Sequence, residues 1–299
     1  MSPSRFLPRR RALLALAAVS AVALAASACA PKANTTAAAS GGTASASCST
    51  SSLSLYKQGQ LTVATDSPAY SPWFDNNTPS DGKGFESAVA YAVAKELGFS
   101  TSQVKWVTES FDNSYAPGNK NFDFDINEIS ITSSRAKAVD FSTGYYTANQ
   151  GVLTLSTSKY AGATSLAALK GAKIGVQVAT TSYQAVQSEI KPSGSVSVYN
   201  TTDDEVNALK DGQVDAIVTD MPTVFYLASA ELNNGKIVGQ FSYDGTGGAA
   251  EQFGLLLQKN SGLTSCVNQA IAKLQSSGEL ASITKQWLSD SADAPELTQ

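Results

Sequence analysis

"QLTVATD", Gln60 to Asp66, followed by "GFESAVAYAVAKELG", Gly84 to Gly98, decides how this chain folds. The first stretch alternates in the period of a strand. In the second, Phe85, Val89, Val93 and Leu97 recur at i+4 and Gly98 follows as a stop, the pattern of an amphipathic helix. "QVKWVTE" (103–109) and "NFDFDINEISI" (121–131) read as further strands. The same alternation returns in "AKIGVQVA" (172–179, strand), "TSYQAVQSEIK" (181–191, helix), "SVSVYN" (195–200, strand), "DDEVNALKDG" (203–212, helix) and "VDAIVTD" (214–220, strand). A pattern used twice predicts an α/β chain of two similar lobes built from βαβ units. In such sheets ligands bind beyond the carboxyl ends of the strands. Those ends carry Asp66, Phe111, Asn127 to Ser130, Thr180 with Thr181, and Asp220.

Composition agrees with such a body and narrows its partners. The 299 residues are 42% hydrophobic and 15% charged, enough to bury a large core. A net charge of −4, with no Lys/Arg cluster beyond the N-terminus, argues against nucleic acid as a partner. Histidine is absent, which removes imidazole metal sites, His-based triads and the commonest general base. No metal or cofactor is expected.

The N-terminus reads as an export signal: Arg9, Arg10 and Arg11 precede an apolar run of roughly 17 residues ending in small residues before Cys29. "ASAC", Ala26 to Cys29, resembles a bacterial lipobox, in which the cysteine is diacylated, although Ala26 replaces the usual Leu. Simple cleavage after Ala28 is the other reading, and twin-arginine and general export both fit the arginines. The Ala/Ser/Thr/Gly stretch that follows carries no aromatic residue and reads as a flexible tether. Cys48 and Cys266 remain, bridged in an oxidising compartment or, alternatively, one buried and one free.

Within "NEISITSSRAKAVDFS", Asn127 to Ser142, Arg135 has two readings. Its fork of donors fits a carboxylate bidentately, with Thr132 as an N-cap opening a short helix. Alternatively it makes a surface ion pair with Asp140 or Glu128. Asp220, followed by Met-Pro, reads on its own as a helix cap or turn residue.

The order of "TD..AY..WF", "GFE.AVA.AVAKELG", "ISITSSRAKAVDFS", "GYYTANQ", "GVQVATTSY" and "ALKDGQVDAIVTD" resembles family 3 extracellular solute-binding proteins, the amino-acid receptors of ABC importers, from about Leu61 to Leu288. The resemblance implies a two-lobe, type II periplasmic-binding-protein-like fold, each lobe a mostly parallel sheet flanked by helices. Two crossing strands, near Thr147 to Gly151 and near Ala249 to Gly254, would form the hinge. The expected layout is a signal peptide at 1–28, a lipidated Cys29 with tether at 29–55, lobe 1 at 56–147 plus 252–292, and lobe 2 at 148–251. The last segments return to lobe 1, which places Cys266 near the strand after Cys48 and supports the disulfide.

By the same resemblance Arg135 holds the ligand's α-carboxylate with Ser130, Thr180 and Thr181, and Asp220 receives its α-ammonium. Tyr70 and Phe111 are the first candidates to flank the ligand's side chain, ahead of Trp73 and Phe74. The loop "DSPAYSPWF" has one residue more than the usual spacing. Glu128 stands where relatives often carry Ser or Gly; either it joins Asp66 at the ligand's far end or it turns towards Arg135 or Lys137. The implied function is capture of a polar or basic amino acid for a membrane permease by a monomer lipid-anchored to the outer face of the cell membrane. The alternative is an enzyme resembling periplasmic cyclohexadienyl dehydratase, for which only Glu128, Asp66 and Asp220 offer an acid or base. A sensory receptor is disfavoured, because no second apolar run of ~20 residues exists.

Overall fold

The computed structural model describes residues 48–243, 245, 250–288 and 294–299. The expected signal peptide, Cys29 and the tether as far as residue 47 lie outside the described residues, as does Ala249. The chain runs β1 (Leu61–Thr65), α1 (Phe85–Glu96), β2 (Val104–Thr108), α2 (Phe111–Ser114), β3 (Phe124–Asp125), β4 (Val139–Phe141) and β5 (Tyr146–Thr147). It continues through β6 (Gln150–Leu155), β7 (Ile174–Gln177), α3 (Thr181–Ala185), β8 (Ser197–Tyr199), α4 (Thr202–Lys210), β9 (Ala216–Asp220), α5 (Met221–Tyr226) and β10 (Gly235–Phe241). It returns through β11 (Gln252–Phe253) and β12 (Leu256–Gln258) to α6 (Thr264–Ser277) and α7 (Glu279–Leu288).

Two five-stranded sheets result, ordered β2-β1-β3-β12-β4 and β10-β6-β9-β7-β8. In each, one strand opposes the rest: β12 in the first and β6 in the second. The reason lies in how the chain enters. Register sets Gln150, the first residue of β6, opposite Asp220, the last of β9, and Leu256, the first of β12, opposite Phe141, the last of β4. Each crossing thus delivers its strand at the carboxyl edge of the sheet, and the strand must run away from that edge. The crossings themselves pair: Thr147 faces Gln252 and Tyr146 faces Phe253 in an antiparallel ribbon. This is the two-strand hinge of a type II periplasmic-binding-protein-like fold.

The helical stripe packs as its spacing requires, with Phe85, Val89 and Val93 fully buried and joined to the first core with Leu61 and Val63. Gly84 opens α1 at φ 91°, where a Cβ would lie 2.4 Å from the Trp73 carbonyl oxygen. Only glycine meets both conditions. Val267, Ile271, Leu274, Leu280 and Leu288 of α6 and α7 complete the same core. Cys48 and Cys266 are bonded, with Cα atoms 5.5 Å apart and a sequence separation of 218. The chain-entropy relation gives a loop of that size about 5 kcal/mol.

One segment departs from the sequence reading, and another is one to which that reading assigned no lobe. The strand expected over 121–131 pairs as β3 only at Phe124–Asp125, with an isolated bridge from Ser130 to Phe253. Glu128 breaks it: at φ 53° its backbone is left-handed, and its N–H is taken by Glu86 Oε1 (2.7 Å) instead of a ladder. Residues 294–299, beyond the stretch expected to return to lobe 1, pair with the second sheet. Gln240 N donates to Pro295 O (2.8 Å), Leu297 N to Gln240 O (2.8 Å) and Leu166 N to Thr298 O (2.8 Å). Gly239 is the seat for this segment, since a Cβ there would meet Pro295 O at 2.5 Å.

Candidate functional site

The carboxyl edges of the two sheets face a shared cleft of ≈ 530 Å³, mouth included. Asp66, Tyr70, Phe111 and Glu128 line it from the first lobe, and Thr180, Thr181 and Asp220 from the second. Each lies where its strand ends: Asp66 follows β1, Phe111 opens α2 after β2, Thr180 caps α3 after β7, and Asp220 ends β9 and precedes α5. The remaining two predicted residues, Ser130 and Arg135, are buried and do not line it: Ser130 bonds to Thr181 of the lining, and Arg135 lies against the Phe111 ring.

Arg135 is 7% exposed. Its Nη1 donates to Ser130 O (2.9 Å) and its Nη2 to Ala179 O of the second lobe (3.0 Å). The rings of Phe111 and Tyr115 lie 5.3 and 4.7 Å from the guanidinium. Thr132 Oγ1 accepts from Arg135 N (3.2 Å), as the cap reading requires, but the helix it opens is a single 3₁₀ turn, Arg135–Lys137. The surface-pair alternative does not hold: Asp140 pairs with Lys259 (3.1 Å), and the Glu128 carboxylate turns elsewhere. Burial lowers the pKa of Arg135 from its ordinary value, and Tyr115, Glu251 and Asp220 partly restore it.

Asp220 does not cap α5 with its side chain. Its Oδ1 accepts from Gln150 Nε2 (2.9 Å), which also donates to Glu251 Oε2 (3.0 Å); Glu251 Oε1 accepts from Ser130 Oγ (2.6 Å). Ser130 Oγ in turn lies 3.2 Å from Thr181 Oγ1 across the cleft. Burial pushes Asp220 well above the usual carboxylate range; Glu251 adds to the shift, while the Gln150 hydrogen bond and then Arg135 oppose it.

Glu128 lines the cleft rather than turning towards Lys137, and its Oε2 accepts from Thr223 Oγ1 of α5 (3.1 Å). Burial raises its pKa well above the usual range, with Glu86 and Asp220 adding to it. Glu86, fully buried behind it, is pushed up to about 7 by burial and accepts from Tyr145 Oη and Glu128 N. Asp66 is tied to the backbone, accepting from Ser67 N (2.6 Å) and Phe111 N (3.3 Å). Tyr70 Oη accepts from Asp203 N at the start of α4 (3.3 Å), bridging the cleft. Trp73 and Phe74, the second-choice flanking residues, are instead lobe core.

Three participants escape sequence reasoning: Gln150, Glu251 and Thr223. Gln150 and Glu251 lie on the two crossings, and a buried acid inside the otherwise apolar "AAEQFGLLL" is the signal that marks Glu251. Thr223 carries no such signal. Among the described residues no group of His, Cys, Asp and Glu is arranged to hold a metal ion.

Residues 61–290 match the model of the bacterial extracellular solute-binding proteins, family 3. The chain is 30% identical over 224 residues to the ABC transporter glutamine-binding protein GlnH of Bacillus subtilis (strain 168), covering 73% of this chain and 77% of that one. It is 31% identical over 237 residues to the L-cystine-binding protein TcyJ of Escherichia coli (strain K12), covering 77% and 83%. Among solved structures, an ancestral arginine-binding protein bound to glutamine superposes with a TM-score of 0.64 at 29% identity, over 78% of this chain and all of that one. A match spanning both sheets, the hinge and the cleft between them makes this chain a member of the bacterial extracellular solute-binding proteins, family 3.

Proposed function

We propose that the protein captures a polar or cationic L-amino acid between its lobes and delivers it to the permease of an ABC importer. The observation that carries this reading is the pairing of opposite charges from opposite lobes. Arg135, from the first, and Asp220, from the second, are both buried and near enough for each to offset part of the other's burial shift. An α-amino acid presents the complementary pair. Arg135 takes the α-carboxylate, aided by Ser130, Thr180 and Thr181, and Asp220 takes the α-ammonium. Tyr70 and Phe111 flank the side chain, while Glu128 and Asp66 meet its far end. The relatives named for glutamine, cystine and arginine support a ligand that is neutral or cationic at that end.

A thermal-shift panel of the proteinogenic amino acids and cystine tests the proposal, because a ligand bound only by the folded state must raise the melting temperature. At least one neutral polar or basic member should shift it by several degrees. A folded protein that no member of the panel shifts would overturn the reading.

The protein acts as a monomer held at the outer face of the cell membrane by a lipid on Cys29, a reading supported by the "ASAC" site and the tether after it. A Cys29→Ser variant should leave the membrane fraction and keep the parent's ligand affinity. Persistent pelleting after a salt wash would show a different anchor.

A further inference from the structure

Thr223 sits between two groups of the other lobe. Its hydroxyl accepts from Trp73 Nε1 (2.7 Å) and donates to Glu128 Oε2 (3.1 Å). An indole N–H only donates, so Thr223 must accept from Trp73, which leaves its own proton for Glu128. Both first-lobe groups are held before they meet Thr223. The Trp73 indole is fully buried and packed edge-on against Phe85, Tyr146 and Phe253 at centroid distances of 5.9, 5.6 and 5.6 Å. Glu128 is held in its left-handed backbone conformation by Glu86.

Of the other bonds across the cleft, those of Arg135 to Ala179 O, of Ser130 to Thr181 and of Tyr70 to Asp203 N are made by groups that the proposed function assigns to the ligand, so an arriving amino acid competes with them; the bond from Tyr115 Oη to Ala179 O is long, at 3.4 Å. Trp73 does not line the cleft, whereas Thr223 does, so an arriving ligand meets the Thr223 hydroxyl but not the buried indole that donates to it. Glu128 Oε1 makes no hydrogen bond to the described residues and is left for the ligand.

We infer that the Trp73–Thr223–Glu128 relay is a closure latch: Thr223 positions the second lobe on the first, and Glu128 serves the latch with one oxygen and the ligand's far end with the other. The inference rests on the proposed capture between lobes, yet its first test needs no ligand.

Spin labels on Ser102→Cys and Gln187→Cys, exposed sites on the first and second lobes, report the interlobe distance by pulsed dipolar spectroscopy. Trp73→Phe and Thr223→Val should each lower the ratio of short to long distances by ~5-fold or more, the worth of about one net buried hydrogen bond. Thr223→Ser, which keeps the hydroxyl, should retain the parent distribution and so separates the latch from general damage. Distributions that coincide in all four proteins, or a parent that populates only the long distance, overturn the latch. A second arm uses L-arginine and L-glutamine as probes. Trp73→Phe should release whichever binds ~5-fold faster with little change in association, whereas an unchanged dissociation rate contradicts the latch. Failure of both probes to bind the parent would count against amino-acid capture, and the distance measurement would still decide the latch.

Discussion

Replacing Arg135 by alanine should lower amino-acid affinity by about 2–5 kcal/mol, roughly 30-fold to several thousandfold. The size follows from burial: at 7% exposure the guanidinium meets a carboxylate with little water to screen it, and its removal leaves that carboxylate unpaired in a closed cleft. Pre-organisation adds to the effect. The Nη1 bond to Ser130 O and the faces of Phe111 and Tyr115 fix the plane of the group, so little side-chain freedom is lost on binding. The fold should survive the change, because Arg135 forms no salt bridge among the described residues. Titration calorimetry reads the loss, and an affinity within about threefold of the parent would remove Arg135 from the site.

The second large effect is exclusion. Glutamate and aspartate should bind at least ~100-fold more weakly than the best neutral or basic amino acid. Glu128 and Asp66 both line the cleft, and Glu86 lies directly behind Glu128. Like charges ~4 Å apart repel by about 4 kcal/mol at an effective dielectric near 20. Burial already drives Glu128 well above the usual carboxylate range, so an anionic ligand would drive it further and enter only with a proton. Residual glutamate binding should therefore strengthen as pH falls, while a ligand with a cationic far end should weaken. Glu128→Gln should narrow the gap between acidic and neutral ligands. Competition titrations at two pH values decide this, and a parent that prefers glutamate would place these carboxylates outside the ligand's reach.

The fold was legible because its signals are local. The i+4 stripe of α1 reports burial that the structure bears out at Phe85, Val89, Val93 and Leu97, whereas β1, read as alternating, is buried on both faces. The strand ends were legible as well, since βαβ geometry sets Asp66 and Phe111 at the carboxyl edge of one sheet and Thr180 and Asp220 at that of the other, whatever the side chains do. What escaped depends on partners distant in sequence. The left-handed backbone of Glu128 is held by Glu86, 42 residues earlier, and its carboxylate by Thr223, 95 residues later. No window around Glu128 contains either. Gln150 and Glu251 meet only because two crossings, 101 residues apart, pass through the same hinge. Residues 294–299 find the second sheet through a notch at Gly239, which reads locally as an ordinary strand glycine.

A thermodynamic cycle shows whether Arg135 grips the ligand's carboxylate between the two lobes. Its corners are the parent and Arg135→Ala, each titrated with the strongest amino acid of the panel and with the amine that lacks its carboxyl group. The parent should lose ~30-fold or more in affinity when the carboxyl group is removed, and Arg135→Ala should lose little further, leaving a coupling of at least about 2 kcal/mol. Losses that simply add would show that the guanidinium and the carboxylate never meet.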